Sequence, residues 1–226
     1  MRLRNGEKIL KISVAIDGPA GAGRSTIAKL VGKKYNLMYI NTGAMYRAVA
    51  LKAIENNLSP EKVEEICELI STMEMHFEND DLILNGENIQ EKITMPNISS
   101  AVSAYASIPE VRVMLVKLQR DMSNKFNVIM DGRDIGTVVL KDANFKFFLT
   151  ASAEERADRR YKELKERNLE CSYEQILKDI IERDYKDTHR ETDPLRKAED
   201  AIEIDSTSLD INGVVNTINE YIEKGK

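Results

Sequence analysis

The chain has 226 residues and a formal charge of −5, with 42% hydrophobic and 31% charged residues. That composition is ordinary for a globular protein with a sizeable core, and length alone admits one or two domains. No apolar run approaches the ~18 residues of a membrane span, the negative charge argues against coating a DNA or RNA polymer, and MRLRNGEKIL lacks the features of a signal peptide.

The first informative stretch covers residues 11–30, KISVAIDGPAGAGRSTIAKL. Ile12, Val14 and Ile16 are β-branched and lead to Asp17, which predicts a buried strand. Gly18, Gly21 and Gly23 follow. Arg24, Ser25 and Thr26 then open a segment whose apolar residues Ile27, Leu30 and Val31 recur at helical spacing. Strand, glycine loop and helix is the setting in which the phosphate-loop pattern G-x-x-x-x-G-K-[ST] carries weight. Gly18, Pro19, Ala20, Gly21, Ala22, Gly23, Arg24 and Ser25 fill it, with arginine where the pattern has lysine. Glycines permit backbone angles that a Cβ forbids. Successive N–H groups can then turn inward around phosphate oxygens, and the helix start adds unpaired N–H groups and the positive end of its dipole. In such a loop Ser25 ligates Mg²⁺ and Arg24 reaches the terminal phosphates. A plain glycine-rich turn is the alternative, and the combined spacing favours the phosphate loop.

Residues 37–40, LMYI, read as a second buried strand, followed by NTGAMYR and a helix over 44–54 with Thr42 as its cap. Ser59-Pro60-Glu61 predicts a helix with proline at its first position. From Met73 the period changes. Met75, Phe77, Leu82 and Leu84 alternate with polar residues, and NDD at 79–81 and NG at 85–86 are turn signals, so a small antiparallel unit is expected. Residues 98–106 are rich in Ser and Ala, and Pro109-Glu110 opens a helix to about residue 123. Residues 60–110 are therefore expected to form an inserted subdomain, with the core in 9–59 and 111–226.

The core resumes at 128–130, which lead into DGRDIGT over 131–137, and 145–149 is another strand candidate. A highly charged segment covers 154–167. Residues 173–185 are helical, with Ile176, Leu177, Ile180 and Ile181 on one face. Residues 201–205 make a last strand, and the final helix carries Ile211, Val214, Val215, Ile218 and Ile222 on one stripe. Five short apolar strands separated by helices imply a parallel α/β sheet. Ligands bind beyond the carboxyl ends of such strands, where Asp17, Asn41, Asp131 and Asp205 begin the polar motifs. Cys67 and Cys171 fit no metal spacing and suit a reduced, cytoplasmic setting. His76 and His189 form no cluster.

Asp131 ends a strand, where a carboxylate can hold Mg²⁺ beside a phosphate loop; a strand-end turn is the alternative. Arg133 and Asp134 follow at once. Arg156, Arg159 and Arg160 share a helical face. They could neutralise a transferring phosphate, or sit solvated in Glu155–Arg159 and Glu163–Arg167 pairs. Arg183, Asp187 and Arg190 share a face if their helix continues, and arginine forks match phosphate oxygens; an exposed salt-bridged helix end is the alternative. Two arginine clusters beside one phosphate loop suit two phosphorylated substrates held in line. The sequence carries no N-K-x-D-type guanine motif. These points favour a kinase of a small phosphorylated acceptor over a GTPase switch.

In order and spacing, AIDGPAGAGRST, NTGAMYRA, SAYASIPEVR, DGRDIGTVV, ASAEERADRR, IIERDYKDTHR and EIDSTSL resemble the bacterial cytidylate kinases, over nearly the whole chain from Ile12 to about Tyr221. The resemblance implies a P-loop NTPase-type parallel five-stranded sheet flanked by helices. It also implies a monophosphate-binding insert at 60–110 and a helical lid over about 155–171. The implied reaction passes the ATP γ-phosphoryl group to CMP or dCMP with Mg²⁺, in a cytoplasmic monomer. Ser103 matches a residue that contacts cytosine, and Arg112 and Asp134 match residues around the base. Arg47 and Arg133 match arginines near the acceptor phosphate, beside Asn41 and Thr42. Arg183, Asp187 and Arg190 match the cluster that holds the acceptor sugar and phosphate. Arg156, Arg159 and Arg160 fall in the lid, and Asp205, Ser206 and Thr207 match a loop beside the adenine. Arg24, Asp131, Arg133, Arg156, Arg160 and Arg183 are then the expected catalytic residues, and Ser25 and Asp131 the metal ligands. Asp, Arg and Ser complement the N4 donor and the N3 and O2 acceptors of cytosine.

Three residues depart from the family pattern: Arg24 for lysine, Asn41 for a common aspartate, and Lys186 for a frequent arginine. Arginine is bulkier and planar, so the first swap bears on turnover while leaving the fold untouched. Two alternatives follow. One is a nucleotide-binding protein with weak kinase activity because of Arg24 and Asn41. The other is a kinase of another monophosphate such as UMP.

Overall fold

The computed structural model describes residues 11–166 and 168–225. Along the chain, β1 (Ser13–Asp17) leads through the glycine loop into α1 (Arg24–Tyr35), β2 (Met38–Asn41) and α2 (Thr42–Glu55). Then come α3 (Val63–Ser71), the strands β3 (Met75–Glu78), β4 (Asp81–Leu84) and β5 (Glu87–Asn88), and the helices α4 (Gln90–Ile93), α5 (Pro96–Ala106) and α6 (Pro109–Ser123). The chain returns through β6 (Val128–Gly132), a π-helical turn at Ile135–Val139 and β7 (Phe145–Thr150). It ends with α7 (Ala153–Glu166), α8 (Tyr173–His189), β8 (Ile202–Asp205) and α9 (Ile211–Lys224).

The five expected strands form one parallel sheet in the order β2-β6-β1-β7-β8. Their side chains alternate between two apolar layers. Val14, Ile16, Tyr39 and Ile129 pack with Ile27 and Val31 of α1 and Val214, Ile218 and Ile222 of α9. Ala15, Ile40, Val128 and Met130 pack on the other side with Val49 of α2 and Val111 and Leu115 of α6. Burial on both faces is why these strands read as continuous apolar runs.

β3, β4 and β5 make a small antiparallel sheet. Its two turns, at Asn79-Asp80 and Asn85-Gly86, have positive φ at both central residues, the geometry of a tight hairpin. Ile66, Leu82, Leu84, Ile98 and Tyr105 from this part of the chain join the same apolar cluster as α2 and α6.

Several local expectations need correction. α3 starts at Val63, not at Pro60; the Lys62 N–H donates to the Ser59 carbonyl at 3.0 Å, so Pro60 occupies the second position of a turn before the helix. Asn41, not Thr42, caps α2, accepting from the Ala44 N–H at 2.9 Å. The Thr42 hydroxyl instead donates to the Asp131 carbonyl at 2.8 Å. Ile181 stands exposed, and α8 packs on α7 through Ala157, Ile176 and Ile180. Ile211 is also exposed, and Asn219 takes a place on the buried face of α9. The segment MRLRNGEKIL and the Glu163–Arg167 pair lie outside the described residues.

Candidate active site

The parallel register brings the strand ends level. Asp17 pairs with Gly132 and Phe148, Asn41 with Asp131, and Thr150 with Asp205. The loops that leave this edge build the site. Gly18 has φ +148, and a Cβ there would lie 2.1 Å from the Leu149 carbonyl oxygen. Gly23, at φ +84, caps α1 with no side chain, so the first N–H groups of the helix stay open toward the loop.

Arg24 is buried at the base of this loop. Its Nη1 donates to the Gly18 carbonyl at 2.6 Å and to the Gly132 carbonyl, which ties the loop to the end of β6. Its Nε has no partner among the described residues. Burial, and then the nearby Arg133, lower its pKa to about 9, so it stays charged at neutral pH. Asp17 is buried beside it and accepts from the Ile135 and Gly136 N–H groups, both at 2.7 Å. Burial raises its carboxyl to about 6 in spite of these bonds. The π-helical turn is thereby fastened to the first residue before the phosphate loop.

The Asp131 carboxylate receives the Ser25 hydroxyl at 2.9 Å and the Tyr39 hydroxyl at 2.7 Å. Among the described residues, no three His, Cys, Asp or Glu side chains are close enough together to hold a metal ion by themselves. One carboxylate beside one hydroxyl, both oxygen donors, suits Mg²⁺, which keeps waters and takes phosphate oxygens as its other ligands.

Beyond Asp131 lies a cavity of about 120 Å³. It brings together Asn41, Thr42, Arg47, Ser103, Arg112, Asp131, Arg133, Asp134, Arg183, Asp187 and Arg190, with Arg24 and Ser25 at the loop side. Six guanidinium groups (Arg24, Arg47, Arg112, Arg133, Arg183, Arg190) therefore face three carboxylates (Asp131, Asp134, Asp187), an electropositive hollow for an anion. Arg133 Nε donates to Asp187 at 2.7 Å, and Arg183 Nε lies 3.9 Å from the same carboxylate. Burial opposes ionisation of Asp187, but Arg133 and Arg183 hold its pKa below the usual carboxylate range. Burial together with Arg133 lowers Arg183 to about 10. Burial raises the carboxyl of Asp134, partly offset by Arg112 and Arg190. Nε of Arg47 and of Arg183 make no hydrogen bond among the described residues, which leaves donors in the cavity wall for a ligand oxygen.

The three arginines of α7 diverge. Arg156 donates to the Ala20 carbonyl of the phosphate loop at 3.0 Å and to Asp184 at 2.6 Å. Arg159 makes the Glu155 pair of the alternative reading, at 3.0 Å, and also donates to the Ser206 carbonyl at 2.6 Å. Arg160 pairs with Glu163 at 2.7 Å. Asp205 is exposed and accepts from the Thr207 N–H and hydroxyl, while Ser206 is buried against the Thr150 carbonyl. Sequence reasoning missed Tyr39, Tyr46, Asp184 and Asp193 as partners of site residues. Only Tyr39 carried a signal, a hydroxyl within a buried strand.

A glycine loop feeding a helix at the edge of a parallel sheet, with a hydroxyl–carboxylate pair beside it and an arginine-rich hollow across from it, defines a P-loop phosphotransferase. Two solved structures share the fold. An uncharacterized protein from Eubacterium ventriosum aligns with a TM-score of 0.53 and 14% identity over 95% of this chain and 99% of its own. Shikimate kinase from Bacteroides thetaiotaomicron aligns with 0.50 and 12% over the same shares. The family description "Cytidylate kinase" matches residues 14–224, and the chain belongs to the cytidylate kinase family. The cytidylate kinase of Clostridium perfringens (strain SM101) is 71% identical over 94% of this chain and 98% of its own length. Those of Clostridium acetobutylicum and Clostridium botulinum (strain Loch Maree) are 59% and 54% identical, over 95% and 96% of this chain and 99% and 100% of theirs.

Proposed function

We propose that this kinase transfers the γ-phosphoryl group of ATP to CMP or dCMP, giving CDP or dCDP. The cavity carries the reading: one hollow beside the phosphate loop gathers the acceptor residues expected from four separate motifs. The loop N–H groups and Arg24 hold the donor phosphates. Arg47, Arg133, Arg183 and Arg190 bind the acceptor phosphate and offset its repulsion of the donor, with Asp187 orienting Arg133 and Arg183. Ser103, Arg112 and Asp134 face the base. Arg156, Arg159 and Arg160 serve a lid over about 155–171, and residues 60–110 form the monophosphate-binding subdomain. Ser25 and Asp131 hold Mg²⁺, which when bound offsets charge on the β- and γ-phosphate oxygens. Little acid–base chemistry is required; alignment and charge neutralisation supply the rate. The same reading takes the enzyme as a cytoplasmic monomer.

A coupled assay of ADP formation tests this with CMP, dCMP, UMP and AMP. Turnover with CMP or dCMP at the highest kcat/KM is expected. Pure protein with no CMP-dependent turnover overturns the reading, and a preference for UMP or AMP overturns the base assignment.

A further inference from the structure

A single arginine, Arg112, separates the acceptor cavity from a larger outer groove of about 540 Å³, and it lines both. Its guanidinium is almost wholly buried. One Nη donates to the Asp134 carboxylate, the other to the Ala106 carbonyl at 3.3 Å, and the Tyr46 ring centre lies 5.5 Å away. Its Nε donates to Asp193 Oδ2 at 2.8 Å. Asp193 has a second grip: its carbonyl accepts from Arg190 Nε at 2.7 Å, and Arg190 Nη2 lies 3.5 Å from the other oxygen of Asp134. One residue therefore holds, from behind, both arginines that share Asp134.

The backbone of Asp193 points the same way. It has φ +50 and directly precedes Pro194. A non-glycine residue in this region is uncommon, and a following proline restricts it further. Such a conformation persists where the surroundings over-determine it. Here the two arginine contacts do so, together with the Leu195 N–H, which donates to the Asp187 carbonyl at 2.8 Å and draws the loop back onto α8.

We propose that Asp193 is a positioning residue for acceptor specificity. Its carboxylate sets the plane of the Arg112 guanidinium, and its carbonyl sets Arg190, so that Asp134 presents its oxygens to the base in one orientation. Without that carboxylate, Arg112 Nε is buried and unpaired, and the fork that faces the cavity loses one of its restraints. This inference rests on the CMP reading above.

The test uses Asp193→Gly and Asp193→Asn. Glycine keeps the positive φ and the carbonyl and removes the carboxylate alone; asparagine keeps one oxygen toward Arg112. The measurements are melting temperature and the kcat and KM for CMP, UMP and ATP. Asp193→Gly should still fold, with a melting temperature at or a few degrees below native because relief of the positive φ only partly offsets the unpaired Arg112 Nε, and should raise KM for CMP about tenfold. It should leave KM for ATP nearly unchanged and narrow the CMP-over-UMP ratio of kcat/KM, with Asp193→Asn losing less. A native KM for CMP with a native CMP-over-UMP ratio in Asp193→Gly overturns the inference, as does an equal loss toward CMP, UMP and ATP. If Asp193→Gly does not fold, Asp193→Asn carries the same comparison. Native enzyme that fails to turn over CMP overturns the functional reading instead, so the two failures are told apart.

Discussion

At the scale of single residues, burial of charge decides most of the behaviour of the phosphate loop. Arg24 uses one nitrogen to grip the Gly18 and Gly132 carbonyls, one in the phosphate loop and one at the end of β6. Lysine can replace the charge but not the planar fork. Arg24→Lys should keep kcat within about tenfold of native, whereas Arg24→Met, with no charge, should lower it by about a hundredfold or more. Steady-state rates with saturating ATP and CMP check both, and a rise of more than tenfold in Arg24→Lys would instead favour a weakly active native protein. Asp17 offers a different readout. Burial lifts its carboxyl from 3.8 to about 6, so the folded chain holds a proton there that the unfolded chain releases. Below about pH 4 both states are protonated, and above about pH 6 both are ionised. This residue therefore costs stability as pH rises between those limits, on the order of 3 kcal/mol. In Asp17→Asn that contribution disappears, so native-minus-variant unfolding free energy should fall across pH 4–6 and level off above it, as urea titrations at several pH values would show.

At the scale of elements, the helix ends repay attention because they coincide with the site. Asn41, whatever residue the family favours there, caps α2 through the Ala44 N–H. Asn41→Ala should lower stability by about 1 kcal/mol, and Asn41→Asp should preserve it, since both carboxylate and amide oxygens accept that bond. Chemical denaturation separates the two. The same place explains a misreading of local signals. Asn and Thr are both good caps, and only the neighbouring strand decides between them, because the Thr42 hydroxyl is drawn to the Asp131 carbonyl 89 residues away in sequence. Proline shows the same ambiguity. Pro96 and Pro109 do open helices, while Pro60 sits in the turn ahead of one. Local chemistry permits either place, and the packing of the following apolar face selects one.

At the scale of the whole molecule, the unequal apolar clusters set what can move. The sheet layers are extensive, and the 60–110 segment shares one of them. The α7–α8 pair has its own small cluster around Ala157, Ile176 and Ile180. Closure over bound nucleotides should therefore be carried by these two helices, at little cost in buried apolar contact. Hydrogen exchange across residues 153–189 should slow when ATP and CMP are both present, more than across β1 and β6; unchanged exchange there would remove the lid from the mechanism. The phosphate loop, the five strands and the arginine-rich motifs were legible in the amino-acid order, because each depends on residues within a few turns of chain: glycine spacing, apolar period, charge on one helical face. The convergence of those motifs was not. The partners of Asp17, Tyr39 and Arg112 lie 118, 92 and 81 residues away, at Ile135, Asp131 and Asp193. They meet because the register of the parallel sheet brings its strand ends level and α6 and α8 close over that edge. What the sequence determined alone was the local chemistry of phosphate binding and the class of fold. Which distant side chain orients each functional one was settled only in the fold, because a hydrogen bond of about 3 Å depends on where whole elements pack and leaves no periodic trace in the chain.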